Sequence, residues 1–178
     1  MTKAENSQII RTITVLITIC SLSLPVYAKY SGGRGEPNDP YQIATAEDLM
    51  LLGDSPEDYD KHFILTADID LDPNLPDGKV FDRAVIAPDT DPNDEYIQFQ
   101  GTPFWGVFDG RGHAISHVRI VGRDYLGLFG QLGWGFLPGG EVRALRVVDV
   151  RITGSGNNVA GLVGDNLGTV TGCYSTGV

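Results

Sequence analysis

Apolar residues recur in a short glycine-bounded pattern along the last third of the chain. The pattern is a glycine, two apolar residues and then a glycine or aspartate, and it occurs three times, at 106–109, 127–130 and 161–164. A second apolar segment follows each copy, at 115–118, 142–145 and 170–173. Counted from the first apolar residue of the motif, the second segment starts 8 positions later in the first and third copies but 14 later in the second, so the middle copy carries six extra residues.

The spacing between copies predicts a stack of parallel strands. Val118 to Leu145 is 27 positions and Leu145 to Cys173 is 28, a period typical of repeats that cannot bury their apolar faces alone. Glycines in every copy exclude helices of ordinary length. We therefore expect an all-β solenoid, a parallel β-helix, in which Cys173 lies over Leu145 over Val118, and Leu128 lies over Val107. A leucine-rich horseshoe has a similar period, but its leucine frame is absent.

The glycine motifs and their flanks resemble a known repeat family. Gly-Leu-Phe-Gly at 127–130 and Gly-Leu-Val-Gly at 161–164, with the segments 108–115 before and 173–177 after them, are similar to the motifs of GLUG-motif repeat proteins. The resemblance covers most of residues 99–178. It implies a right-handed β-helix in a bacterial secreted or surface protein. The repeat also occurs as a non-catalytic part of large IgA-cleaving metallopeptidases, so it implies little about function.

One position departs from the family pattern. The family often has Asn before the second apolar residue, where a side-chain ladder forms between repeats. This chain has His117, Ala144 and Gly172 there, so we expect no continuous asparagine ladder.

The chain divides into three predicted parts. Residues 1–28 have a positively charged start, a mostly apolar run from Ile13 to Leu24, and small residues, Val26 and Ala28, at both key cleavage positions. This pattern is typical of a cleaved secretion signal, and the run is too short to span a bilayer comfortably. We therefore expect a secreted or cell-surface protein with no membrane span after cleavage, an uncleaved anchor being the alternative. Residues 29–61 are predicted as a lead-in with a capping helix. The β-helix then follows over 62–178, with repeats at 106–120, 127–152 and 161–178.

The lead-in contains one helix signal and the start of the sheet. Thr45 is a suitable N-cap, acidic residues and then an apolar run follow it, and Gly53 can end the helix. We expect this helix to cover the first turn of the solenoid. Alternating residues predict a strand over 62–71, and a second short strand is expected at 81–87 inside a long loop.

Charge is concentrated in the first half of the chain. Residues 36–95 hold 17 acidic residues against three basic ones, a net charge of −14, whereas residues 96–178 have a net charge of +1. An acidic surface repels nucleic acid and anionic membranes, so neither is an expected partner. It attracts cations or basic partners, and the simpler interpretation is solubility of an exported protein.

Two segments are candidate binding sites. The insertion at 131–138 carries Trp134 and Phe136, and exposed aromatics often anchor protein or sugar ligands. The alternative is that this loop folds back onto the solenoid. The second candidate is a weak calcium site formed by Asp89, Asp91, Asn93, Asp94 and Glu95, for which a solvated loop is the alternative.

Three further acids and two histidines are interpreted as surface groups. Asp68, Asp70 and Asp72 alternate along a predicted strand, but no glycine or glutamate completes a calcium loop after them. His113 and His117 are four apart, which on a strand is about 13 Å and too far to share one zinc ion. We expect an exposed acidic edge and structural histidines.

The sequence contains no recognisable catalytic motif, such as His-Glu-x-x-His or Gly-x-Ser-x-Gly. The expectation is an exported, non-enzymatic repeat protein for surface attachment or protein interaction, with a protein or glycan partner and no cofactor. The alternative is a carbohydrate-binding or polysaccharide-cleaving β-helix.

The third copy aligns residues 169–174 with 141–146 and Val178 with Val150. No polar capping segment follows it, and terminal repeats normally need a polar outer face. This predicts either a longer array or self-association through the last repeat.

Overall fold

A computed structural model describes residues 28–91, 98–135 and 139–177. The secretion signal predicted for 1–28 lies outside these residues except for its last position. The described residues form twelve strands, one α-helix (α1, Ala46–Gly53) and one 3-10 helix (Pro56–Asp58). The strands are β1 Tyr41–Ile43, β2 His62–Leu65, β3 Ile69–Asp70, β4 Val107–Asp109, β5 Ala114–Ser116, β6 Arg119–Gly122, β7 Phe129–Leu132, β8 Glu141–Arg143, β9 Arg146–Gly154, β10 Val163–Asn166, β11 Thr169–Thr171 and β12 Tyr174–Gly177.

The strands form an all-β fold of parallel sheets. Sheet 1 has the order β1-β2-β4-β8-β11, sheet 2 has the order β3-β5-β9-β12, and sheet 3 pairs β7 with β10. Strand β6 pairs with the second half of β9. The first passage of the chain around the fold supplies β1 to sheet 1, and each later passage adds one strand to sheet 1 and one to sheet 2; all these pairings are parallel.

The predicted alignment of the last two passages is confirmed. Thr169–Thr171 pairs with Glu141–Arg143, and Tyr174 pairs with Arg146. Cys173 lies over Leu145, 28 positions earlier, and the backbone N–H of Leu145 points at the Cys173 Sγ at 3.4 Å. The register then shifts at a bulge, so that Gly177 pairs with Val150. Val178, predicted to align with Val150, lies outside the described residues.

Two of the predicted columns are wrong. Ile115 pairs with Val147, and Val118 accepts a hydrogen bond from the N–H of Arg151, so Val118 does not lie over Leu145. Val107 pairs with Glu141 in sheet 1, whereas Leu128 leads into sheet 3. The three glycine-bounded motifs are therefore not equivalent: the first supplies a strand to sheet 1, and the other two supply β7 and β10 to sheet 3.

Two predicted strands are also corrected. The segment 62–71 forms two strands, β2 and β3, because the chain turns at 66–68 to pass from sheet 1 to sheet 2. The segment 81–87 makes only two isolated bridges, Phe81 to Ile120 and Ile86 to Phe129. Its apolar residues are buried as their pattern indicates, but the segment bends around the core instead of running straight.

The predicted helix forms as expected. Thr45 caps it through a capping box, in which the Thr45 Oγ1 accepts from the N–H of Asp48 at 3.2 Å, and the Asp48 carboxylate accepts from the N–H of Thr45 at 3.3 Å. The helix ends at Gly53. Leu49 and Leu52 are fully buried and join the core.

Aromatic residues from successive passages build the centre of the core. Phe63, Phe104, Phe108 and Phe129 are all almost fully buried. The ring centroids of Phe104 and Phe129 are 5.3 Å apart, those of Phe108 and Phe129 are 5.5 Å apart, and those of Phe63 and Phe104 are 6.0 Å apart. Such pairs add about 0.5–1.5 kcal/mol each beyond the burial of their area.

The corners between strands use the left-handed backbone region at corresponding positions of neighbouring passages. The hydrogen bonds and pairings place these residues opposite one another in three pairs, His117 with Asp149, Tyr125 with Asn158, and Ala144 with Gly172. Their φ angles lie between 48° and 62°. The alignment of the repeats predicted that His117 corresponds to Ala144 and Gly172. This prediction is wrong, because His117 lies at a different corner of the fold from Ala144 and Gly172.

The left-handed corner at Ala144 gives a test of the stacking. A left-handed φ costs a non-glycine residue about 1–2 kcal/mol in the folded state. Glycine makes the unfolded chain more flexible, and this lowers stability by a smaller amount, about 0.4–1 kcal/mol. We predict that Ala144→Gly leaves the melting temperature unchanged or raises it. In the matched control, Ala114→Gly in strand β5 should destabilise by about 0.5–1 kcal/mol. Equal losses in both variants, measured by thermal unfolding, would contradict the corner geometry.

Candidate ligand-binding surface

The predicted insertion lies at the corner between sheet 3 and sheet 1. The segment from Phe129 of β7 to Glu141 of β8 is longer than the corresponding segment between their partners, Val163 and Thr169. The six extra residues of the middle passage are therefore located where the sequence predicted them. Trp134 lies in this segment and is 50% exposed, so the described part of the loop does not fold back to bury it. Phe136 lies outside the described residues.

A second tryptophan, which the sequence analysis did not select, reaches the same corner. Phe104 pairs with Leu132, and the N–H of Gly133 donates to the carbonyl of Phe104 at 2.8 Å. This pairing sets Trp105 beside the start of the insertion. The Trp105 carbonyl accepts from the N–H of Gly140 at 2.9 Å, so its backbone is held on the other side of the insertion too. Trp105 is 44% exposed.

Leu167 continues the surface on the next passage. Its N–H donates to the carbonyl of Leu132 at 2.8 Å, and its side chain is 46% exposed. Trp105, Trp134 and Leu167 thus come from three successive passages of the chain at one corner. We call these three residues the apolar corner. Singly exposed apolar residues are common, but grouped exposed aromatics mark interaction sites.

The backbone beneath the apolar corner is tightly packed. A side chain added at Gly168 would meet the carbonyl of Gly140 at 2.2 Å, so only glycine permits this approach of two passages. Gly133 has a φ of +78°, which favours glycine at the point where the insertion leaves β7. Phe104 and Leu132 below are fully buried. The corner therefore presents its side chains from a rigid base, which limits the entropy lost on binding.

A second feature is a set of carboxylates and histidines on the outer face of sheet 2. Asp68 accepts from the N–H of Ala114 at 2.9 Å and contacts the Nδ1 of His113 at 3.0 Å. The Nδ1 of His117 lies 2.7 Å from Asp70, and its Nε2 lies 3.4 Å from Asp149. His117 therefore bridges carboxylates of the passages before and after its own, as the expected structural role requires.

These contacts shift the pKa values of His117 and Asp68. The hydrogen bond to Asp70 is the main cause that raises the pKa of His117, and the negative charges of Asp70, Asp149 and Asp72 add to it. The N–H of Ala114 and then His113 lower the pKa of Asp68. The arrangement favours the protonated form of His117.

Of the five residues predicted as a calcium site, the structure describes Asp89 and Asp91. Asp89 is buried, and its Oδ1 accepts from the N–H of Gln100 at 3.0 Å and of Asp91 at 3.4 Å. Asp89 thereby joins the two ends of the loop. Asn93, Asp94 and Glu95 lie outside the described residues. Within 28–91, 98–135 and 139–177, no group of three or more His, Cys, Asp or Glu side chains is placed to hold a metal ion.

The exposure of the two tryptophans predicts a stability pattern. Changing both Trp105 and Trp134 to Ala should leave the melting temperature nearly unchanged, because large parts of both side chains already contact water. In contrast, Phe104→Ala at the base of the same corner should cost about 3–5 kcal/mol. Chemical denaturation of both variants measures the difference. A loss in the double variant as large as that of Phe104→Ala would show that the tryptophans are core residues.

The raised pKa of His117 predicts a pH dependence with a definite sign. Protonated His117 stabilises the fold fully below its unfolded pKa of about 6.5, and the contribution disappears as the pH rises through the higher folded pKa. We predict that His117→Asn lowers the melting temperature more at pH 5 than at pH 8. Asn tolerates the left-handed backbone at this position, so the comparison isolates the charge. An equal loss at the two pH values would contradict the bridge.

Comparisons with known proteins give two relatives. The chain is 32% identical over 151 residues to Halomucin of Haloquadratum walsbyi, an alignment that covers 82% of this chain and 2% of that protein. It is 32% identical over 180 aligned residues to a protein of Evansella cellulosilytica described as a Gly-rich membrane protein, covering 90% of this chain and 18% of that one. The chain therefore spans a small fraction of either relative.

No family model matches the chain, and no solved structure matches it significantly. In the part of the chain that the structure describes, no helix has the length and apolar character needed to cross a membrane.

Proposed function

We propose that this chain is an exported, non-enzymatic module that binds a protein or glycan at a cell surface through its apolar corner. In this proposal the chain is a right-handed parallel β-helix of the GLUG-motif type, and it serves attachment or interaction. The observation that carries the proposal is the grouping of Trp105, Trp134 and Leu167 at one corner of a tightly packed scaffold.

Three observations support the β-helical fold. The pairings in sheets 1 and 2 are parallel and join successive passages of the chain. The last two passages keep the same spacing in both sheets up to the bulge, and that spacing lies within the usual range for stacked repeats. Corner residues of neighbouring passages share a left-handed backbone. A stack of this kind repeats its cross-section, which is how one corner collects side chains from separate parts of the sequence.

Export and a surface location are supported by the sequence and by the relatives. Residues 1–28 have the charge and apolar pattern of a secretion signal. One relative is named as a mucin and the other as a membrane protein, and both names indicate a location at the cell surface or in the membrane. The net charge of −14 over residues 36–95 disfavours nucleic acid and anionic membranes as partners.

A carbohydrate ligand is the second candidate, and the two tryptophans favour it. Indole rings offer flat apolar surfaces with one polar edge, which suits ligands that have both apolar faces and hydroxyl groups. Polysaccharide cleavage has less support. Asp109 and Glu141 lie together on sheet 1, but both are ion-paired to Arg143 at 3.0 Å.

The binding proposal is tested by measuring how the exported chain attaches to intact cells and to a glycan array. We predict that changing Trp105 and Trp134 to Ala abolishes attachment. Tyr174→Ala is the matched control, because Tyr174 is also 50% exposed but lies on sheet 2. Binding on the array identifies a glycan, whereas attachment to cells that is lost after protease treatment identifies a protein. Unchanged attachment in the double variant would overturn the proposal.

A further inference from the structure

A cavity of about 500 Å³ lies beside the C-terminal end of helix α1. Met50, Gly53 and Tyr59 line it together with the segment 79–85. Its volume falls in the range of cavities that hold small ligands, about 300–1,000 Å³. None of the three residues of the apolar corner lines it, so it is a separate candidate site.

Direct packing of the helix end against the neighbouring segment fixes the shape of the cavity. A side chain added at Gly53 would overlap the carbonyl of Val85, so only glycine allows this contact. The Tyr59 hydroxyl donates to the carbonyl of Gly53 at 2.8 Å and accepts from the N–H of Ala87 at 3.0 Å. Tyr59 and Val85 are both buried. The cavity is therefore formed before a ligand arrives, which lowers the cost of binding.

Positive charge is concentrated at this cavity. Residues 36–95 contain three basic residues, and two of them, Lys79 and Arg83, line it. The Lys79 Nζ lies 4.9 Å from the centroid of the Phe81 ring. Among the described residues, Lys79 forms no ion pair with a carboxylate, in contrast to the third basic residue, Lys61, whose Nζ lies 3.2 Å from Asp60. Lys79 is therefore available to an anionic ligand.

Two acidic residues at the cavity limit which anions can bind. Asp54 and Asp82 also line it. Arg83 lies 3.5 Å from Asp82, but the Asp82 side chain is 87% exposed, and such exposed ion pairs are weak. A ligand anion can therefore replace Asp82 as the partner of Arg83. Repulsion from the surrounding acids favours a ligand with one negative charge over a polyanion.

The rest of the lining combines apolar and hydroxyl groups. Val80 and Pro88 contribute apolar surface, and Thr90 and Thr102 contribute hydroxyl groups. The Thr90 Oγ1 donates to the carbonyl of Gln100 at 2.8 Å, so it can still accept a hydrogen bond from a ligand. Sugar rings carry hydroxyl groups around faces that are partly apolar, and this lining suits them.

We propose that the cavity binds one acidic sugar residue, a uronic acid at the end of a glycan. Lys79 and Arg83 hold its carboxylate through charge-assisted hydrogen bonds, which are stronger than neutral ones. The threonine hydroxyls and the apolar lining contact its ring. This second site has a ligand of defined charge, and it does not depend on the apolar corner.

The proposal is tested by isothermal titration calorimetry with methyl glucuronide, whose blocked anomeric oxygen imitates a glycan linkage. Methyl glucoside, which lacks the carboxylate, and acetate, which lacks the ring, are the comparison ligands. The variants are Lys79→Gln and Arg83→Gln, both at exposed positions. Lys61→Gln is the matched control, because it removes the same charge from the same acidic region but does not line the cavity. Circular dichroism establishes that each variant is folded.

We expect the unchanged chain and Lys61→Gln to bind methyl glucuronide equally, and to bind methyl glucoside and acetate much more weakly. Lys79→Gln and Arg83→Gln should each lose affinity for methyl glucuronide by about tenfold or more, because each removes a hydrogen bond to a charged group. No binding of methyl glucuronide by the unchanged chain would overturn the proposal. Equal affinity for methyl glucoside or for acetate would overturn it too, as would a loss in Lys61→Gln as large as in the two cavity variants. The measurement involves neither cells nor the tryptophans, so its failure is distinct from a failure of the apolar corner.

Discussion

The structure depends on parallel backbone pairing between successive passages of the chain. Each interior strand must pair with the passage before it and with the passage after it, because buried backbone groups left without partners are costly. Corners must then bend alike in neighbouring passages, or the next strand would leave its register. The left-handed corners at His117 and Asp149, and at Ala144 and Gly172, meet this requirement with residues of different chemistry. Backbone geometry is thus shared between neighbouring passages at these corners, while side chains are free to vary.

Because the side chains at the corners can vary, a ligand-binding surface can form on the stack. The insertion between β7 and β8 lengthens one passage without disturbing the pairing on either side, since β8 still pairs with β4 and β11. Buried Phe104 and Phe129 fill the space below it. The corner can therefore carry exposed tryptophans without a large cost in stability, because the core lies one layer beneath them.

Part of this architecture could be predicted from the sequence. Local signals were sufficient for Thr45 and helix α1, because a capping box involves residues only three positions apart. The register of the last two passages followed from an uninterrupted repeat. The first register was mispredicted because Gly-Val-Phe at 106–108 and Gly-Leu-Phe at 127–129 look alike but belong to different sheets. Local pattern cannot tell which sheet a short apolar strand joins.

Only part of the apolar corner could be predicted from the sequence, for a related reason. Trp134 lies inside a visible insertion, so its exposure could be expected. Trp105 lies one passage earlier, directly after buried Phe104, and its surroundings in the sequence resemble a core segment. Only the pairing of Phe104 with Leu132 brings the two tryptophans to one corner. Likewise, the bridge from Asp70 through His117 to Asp149 spans three passages and has no local signature.

Intrinsic fluorescence is the sharpest probe of binding at the apolar corner, because Trp105 and Trp134 are the only tryptophans in the chain. All tryptophan emission therefore reports on the apolar corner. The measurement is collisional quenching by a small soluble quencher, before and after the chain is mixed with the cells or glycan proposed as its ligand. We predict that both tryptophans are readily quenched in the free chain and become protected on attachment. Emission that is shielded in the free chain, or attachment that leaves the quenching unchanged, would contradict this prediction.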